Sequence, residues 1–145
     1  VLTDNTMWIS EDGKEAVRCN RGDGWALRRL QEQGLRLLIL SSETNPVVQA
    51  RSRKLGVECV VAQNKLAALK DWLDLQGLDP SEAVYVGNDV PDAECLAYVG
   101  CGVTPADAYP AAKEAAQIVL ETPGGRGCIR ELAELILARS GGAVR

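Results

Sequence analysis

The chain has 145 residues, 46% hydrophobic and 25% charged, a balance that suits one soluble domain with a buried core. Its net charge of −4 argues against a nucleic-acid surface, which needs clustered Lys and Arg, and no apolar run approaches the roughly 18 residues that span a bilayer. The lack of histidine removes Ser-His and Cys-His nucleophile schemes, and none of the five cysteines forms a zinc-type CxxC pair, so they read as small core thiols of a reducing, cytoplasmic protein.

The first predicted element is a hairpin. Residues 7–10 and 16–19 flank Glu11-Asp12-Gly13-Lys14, and Asp-Gly between two short runs is a hairpin signal. From there, apolar runs alternate with amphipathic stretches. Helices are predicted near 24–33, 46–55, 65–76, 92–98, 110–115 and 127–139, and strands at 36–41, 58–62, 83–86, 100–103 and 117–120. Continuous Val-, Ile- and Leu-rich strands separated by helices predict an α/β fold. Its core is a doubly wound, Rossmann-like parallel sheet covered on both faces, with the hairpin as an insertion. Gly34, Gly56 and Gly77 each stand where a helix end favours a left-handed residue, and only residues 140–145 read as a frayed tail.

Ligands of open parallel sheets bind outside the carboxyl ends of the strands, so the loops there carry the candidate chemistry. Ser41 and Ser42 open the loop Ser-Ser-Glu-Thr-Asn, whose hydroxyls and amides can hold a phosphate ahead of the helix near Pro46. A plain N-cap cluster is the better reading of this loop taken alone. Lys65 heads the next helix, where the macrodipole disfavours a cation, so an anion is expected beside it unless the side chain is simply solvated. The third loop brings Gly87, Asn88, Asp89 and, after Val90-Pro91, Asp92 to the end of a buried strand. Oxygen donors so placed suit Mg²⁺, although an Asx turn with helix capping uses the same residue types. Hydroxyl, lysine and carboxylate on three strand ends together favour phosphate handling.

Ser41 after a strand, Lys65 at a helix start and Gly87-Asn88-Asp89-Val90-Pro91-Asp92 resemble the second, third and fourth motifs of the haloacid dehalogenase superfamily. The segments Val1-Leu2-Thr3-Asp4, the hairpin, Arg21-Gly22-Asp23-Gly24 and Gly124-Gly125-Arg126-Gly127 extend the resemblance over nearly the whole chain, to the capless branch acting on sugar acids. The resemblance implies a haloacid dehalogenase-like fold and a Mg²⁺-dependent phosphatase of a sugar-acid phosphate such as 3-deoxy-manno-octulosonate 8-phosphate. It further implies a homotetramer assembled through the hairpin, with a role in lipopolysaccharide or sialic acid biosynthesis and neither nucleic acid nor membrane as partner. In this reading Ser41 hydrogen-bonds the transferring phosphoryl group and Lys65 neutralises developing charge. Asn88, Asp89 and Asp92 hold Mg²⁺, and Ser42 and Arg126 touch substrate.

Two positions depart from the family pattern. Asn88 stands where many members have Asp, which lowers the charge offered to a metal. The family's nucleophile and its acid/base are two aspartates in an Asp-x-Asp-Gly segment directly before Val-Leu-Thr-Asp, and this sequence opens at Val1. Asp4 matches a later position and is not the nucleophile. The expectation is a single domain over residues 1–145, trimmed at its N-terminus and lacking the first strand with its two carboxylates. The rival reading is a non-catalytic oligomerisation or regulatory domain of an N-acylneuraminate cytidylyltransferase, to which residues 87–100, with Glu94-Cys95-Leu96, are especially similar. A receiver-like or nucleotide-binding module is a weaker third reading.

Overall fold

The computed structural model describes residues 1–139 and Gly141, so the rest of the tail expected to fray lies outside the described residues. The chain opens with a short antiparallel hairpin, β1 (Trp8–Ile9) and β2 (Glu15–Ala16), with Trp8 opposite Ala16. Gly13 takes φ +79° in its turn and donates to the Ser10 carbonyl at 2.9 Å, as the Asp-Gly signal requires. The second arm is shorter than predicted and ends at Ala16, so residues 17–19 run as a connection rather than a strand.

Helix α1 (Arg21–Glu32) starts three residues ahead of its predicted position. Asn20 supplies the reason: its side chain accepts from the Gly22 amide and caps a turn whose two glycines disguise it in the sequence. The alternation that follows matches the prediction closely. Strand β3 (Leu38–Ser41) leads to α2 (Pro46–Leu55), β4 (Glu58–Val61) to α3 (Lys65–Gln76) and β5 (Val84–Val86) to α4 (Ala93–Tyr98). Strand β6 (Cys101–Thr104) then leads to α5 (Pro110–Ala115) and β7 (Ile118–Val119) to α6 (Cys128–Arg139). Asn45 and Asn64 cap α2 and α3, and Gly56 and Gly77 end them at φ +65° and +66°.

All pairings among β3 to β7 are parallel. The ladders come in two pieces, β4–β3 and β5–β6–β7. Helices α1 and α6 cover one face, where Ala26, Leu30, Val103, Leu120, Ile129 and Leu132 form a core. Helices α3, α4 and α5 cover the other, around Leu69, Leu73, Tyr85, Leu96 and Ala112. This is the doubly wound α/β arrangement read from the sequence, and its side-chain period explains it: central strands buried on both faces need apolar residues at every position. No described helix is long and apolar enough to cross a membrane.

Leu73 is 1% exposed at the centre of the α3 side of the core. Replacing it with Ala is expected to cost about 2–5 kcal/mol, through lost burial plus the cavity left behind. The urea midpoint of the variant checks this.

Candidate functional site

Lys65 is the first residue of α3, and its ammonium lies 2.7 Å from Asp92 Oδ1. The anion expected beside a lysine at a helix start is therefore part of the chain itself. Both side chains are well buried, at 12% and 5% exposure, so solvent screens the pair little. Because Lys65 follows the end of β4 and Asp92 follows the end of β5, their contact fastens the carboxyl edges of the two ladders together.

Asp92 is fully engaged. Oδ1 also accepts the Tyr85 hydroxyl at 2.7 Å, and Oδ2 accepts the amides of Asn88 at 2.9 Å and Asp89 at 3.3 Å. Four donors match the four lone-pair sites of a carboxylate. Burial alone raises a carboxyl, but here the hydrogen bond from Lys65, the Asn88 amide, the lysine charge and the Tyr85 hydroxyl together hold it below the ordinary carboxylate range. Burial, followed by the Asp92 charge, pushes the Tyr85 phenol far above its ordinary value, so it stays a donor. Gly87 makes the turn possible, because a Cβ on it would stand 2.3 Å from Asp92 Cβ. Thr104, fully buried, donates to the Gly87 carbonyl at 2.7 Å and fixes the turn from β6.

Asp89 caps its own 3-10 turn, accepting from the Val90 amide at 2.7 Å. The cap of the plainer reading is thus present in the loop. Asn88 uses its backbone amide on Asp92 and its carbonyl on the Tyr109 amide, and it lines a hollow of about 170 Å³. Asp4, Asn5, Asp107, Tyr109 and Gly124 share that hollow, so its walls are rich in oxygen donors. Among the described residues no three Cys, Asp or Glu side chains converge as a metal cluster. Asn88 is nevertheless a hard oxygen donor of the kind Mg²⁺ takes together with water and phosphate, and Asp89 stands beside it. These two fit a divalent ion better than Asp92, whose lone pairs are filled.

Ser41 closes β3, level with Val61 in the ladder, and its hydroxyl accepts from the Glu43 amide at 3.1 Å. It stands on the same strand edge as Lys65 but shares no hydrogen bond with the Lys65–Asp92 pair. Ser42 accepts through its carbonyl from Gln63 at 3.1 Å. Arg126 is exposed and lines a different hollow, of about 360 Å³, with Arg18, Cys19, Asn20 and Gly125. Asp4 is held by Thr6 and Arg18, with Arg18 at 2.9 Å. The five cysteines are all free thiols, and burial pushes Cys128 up to about 11.

Tyr85 and Asp107 are absent from the sequence-derived site. A signal existed for Tyr85: a tyrosine inside a buried Val-Tyr-Val strand must find a partner for its hydroxyl. None existed for Asp107, which accepts from the Gly124 amide at 2.8 Å across a distance in sequence that no local pattern spans.

No family model matches the chain. Among curated proteins it is 31% identical over 143 residues to the 3-deoxy-D-manno-octulosonate 8-phosphate phosphatase KdsC of Escherichia coli K12, covering 97% of this chain and 76% of that protein. The chain belongs to the KdsC phosphatase family. It is thus a member of a family of phosphomonoester hydrolases of the haloacid dehalogenase type. It is also 34% identical over 144 residues to the N-acylneuraminate cytidylyltransferase of Oncorhynchus mykiss, covering 94% of this chain but 33% of that protein. A HAD family hydrolase from Streptomyces avermitilis superposes with TM-score 0.92 at 46% identity, over 96% of this chain and 80% of that one. The KdsC-type phosphatase of Moraxella catarrhalis, crystallised with a magnesium ion, a phosphate ion and KDO, superposes with TM-score 0.91 at 26% identity, over 95% and 80%.

The Asp92 shift carries a sign. A carboxyl depressed in the folded state stabilises the protein above its unfolded value near 4, and that contribution disappears as pH falls through the folded value. Asp92→Asn is therefore expected to destabilise this KdsC relative by about 1–3 kcal/mol at pH 7. The gap from the native protein should narrow below about pH 4, as urea titrations at pH 7 and pH 3 will measure.

Proposed function

We propose that this domain serves a Mg²⁺-dependent, cytoplasmic phosphatase of a sugar-acid phosphate, 3-deoxy-manno-octulosonate 8-phosphate being the substrate that its family membership favours. The observation that carries the reading is the buried Lys65–Asp92 pair at the carboxyl edge of the sheet, 2.7 Å apart. One Lys65 N–H is spent on Asp92, and the others remain to meet phosphoryl oxygens as charge develops. Ser41 donates its hydroxyl to the same phosphoryl group, and Ser42 and Arg126 are assigned to substrate contacts. Asn88 and Asp89 would hold the ion, with Asp92 behind them as the anchor of Lys65. When bound, Mg²⁺ supplies positive charge to phosphate oxygens.

The nucleophile in this reading is an aspartate of an Asp-x-Asp segment upstream of Val1. Supporting this is the sheet itself: β3 pairs only with β4 and β5 only with β6, so each has one edge that pairs with no other described strand. A parallel strand entering between them would satisfy both edges and deliver its terminal carboxylates beside Lys65 and Asn88. The attacking carboxylate forms an aspartyl-phosphate as the P–O ester bond breaks and the sugar-acid oxygen leaves with a proton from the second aspartate. Water then hydrolyses the aspartyl-phosphate to aspartate and inorganic phosphate. Asn88, at a position where an aspartate would offer more charge, favours the rival reading of a non-catalytic appendage on a sugar-acid cytidylyltransferase.

Phosphate release from 3-deoxy-manno-octulosonate 8-phosphate, with and without Mg²⁺, separates the two. The 145-residue chain is expected to be inert, and the protein extended through Asp-x-Asp to be active only with Mg²⁺. Lys65→Ala should lower its turnover on the order of 10²–10³-fold, the effect of removing one preorganised electrostatic donor. An extended protein that carries both aspartates yet releases no phosphate would favour the appendage.

Assembly is proposed to run through the hairpin. Met7, Trp8 and Ile9 are 55%, 62% and 64% exposed, and an isolated two-stranded hairpin is marginal in water. Pairing with the hairpins of other copies would cover this apolar arm in a homotetramer. Light scattering should give four times the chain mass, falling when Trp8 and Ile9 are both replaced by Glu; a native protein that stays monomeric at high concentration contradicts the assignment.

A further inference from the structure

We propose that Tyr85 is a positioning residue for phosphoryl transfer: its hydroxyl holds Asp92 so that Asp92 engages Lys65 through a single N–H. The inference rests on the phosphatase reading and deepens it. Asp92 Oδ1 has two lone-pair sites, filled by Lys65 Nζ and the Tyr85 hydroxyl, each at 2.7 Å. Oδ2 is fixed by the main chain through the Asn88 and Asp89 amides.

Of the two donors on Oδ1, only Tyr85 can orient the carboxylate. Lysine swings on four torsions, whereas the Tyr85 ring turns on two and is 8% exposed among Leu69, Leu73, Cys95 and Leu96. Remove the hydroxyl and a lone pair of a carboxylate that is 4% exposed loses its donor. Water reaches so buried an atom poorly, and a second N–H of Lys65, which already sits on the same oxygen, can take its place. That substitution draws the ammonium toward Asp92 and takes a donor away from the phosphoryl group. Tyr85 thus acts through Asp92 on Lys65, without touching substrate.

Tyr85→Phe in the full-length protein keeps the packed ring and deletes the hydroxyl. Turnover is expected to fall about 10-fold with KM changed by less than about 2-fold, because the loss falls on the transition state. In a Lys65→Ala background the same change should add less than about 2-fold, since the residue through which it acts is gone. Equal losses in both backgrounds would overturn the proposal and leave Tyr85 a packing residue. The Lys65 Cε and Nζ resonances, followed by NMR in selectively labelled lysine, are expected to move in Tyr85→Phe while those of Lys70 stay in place. If Tyr85→Phe proves unstable, fluorotyrosine, a stronger donor that retains the hydroxyl, should also move them, in the opposite sense. An active native protein whose Lys65 resonances ignore both changes sinks this proposal alone. A native extended protein that carries both aspartates and releases no phosphate sinks the phosphatase reading, and the role of Tyr85 with it.

Discussion

The Asp92 carboxylate is the point on which the rest of the architecture turns. It lies in the interior as an anion, and burying an unpaired anion is prohibitive, so everything around it is arranged to satisfy it. Lys65 brings the start of α3, Tyr85 the middle of β5, and two successive amides the loop that leaves β5. Remove the carboxylate and the two parallel ladders lose the polar link between their carboxyl edges. Because three of its four partners are uncharged or main-chain groups, the ion pair is one member of a network, and its energy is not separable from the others.

Local charge and net charge act on different length scales in this acidic protein. Net charge acts at long range and is screened within about 8–10 Å at ordinary ionic strength, whereas a half-desolvated lysine at a helix N-terminus acts locally. The Lys65 ammonium lies beside Asp92, and the positive end of α3 lies at the same place. The hollow next to it is different in kind, walled by Asp4, Asn5, Asn88 and Asp107, which accept hydrogen bonds or metal contacts rather than bind anions.

A second buried carboxylate caps a helix. Asp23 on α1 is fully buried, and one of its oxygens accepts the Arg130 amide at 3.1 Å, capping the start of α6 from another helix. Burial, opposed by the amides of Arg130, Ile129 and Gly127, raises its carboxyl, the reverse of Asp92. Trp25, one turn boundary away, lies with the Arg130 guanidinium 3.9 Å from its ring centre, closing the α1–α6 contact on the solvent side. Two acids of the same type, one depressed and one raised, differ because one is hydrogen-bonded by an ammonium, whereas the other accepts from amides and feels the Arg51 charge more weakly than its burial.

The sequence by itself determined the alternation of strands and helices, the hairpin turn, and the spans of α2, α3 and α5. Each follows from local physics: apolar runs, asparagine caps, glycines at helix ends and Asp-Gly in a two-stranded turn. It also singled out Lys65, where a cation at a helix start calls either for an anion beside it or for solvent. Only the tertiary structure decided that Asp92 lies beside it, 27 residues away, with a donor at each of its four lone-pair sites. Tyr85 and Asp107 entered the site for the same reason. Which carboxylate meets which donor depends on how strand ends align across the sheet. Alignment is a property of packed ladders and helices, and no periodicity within a single segment encodes it.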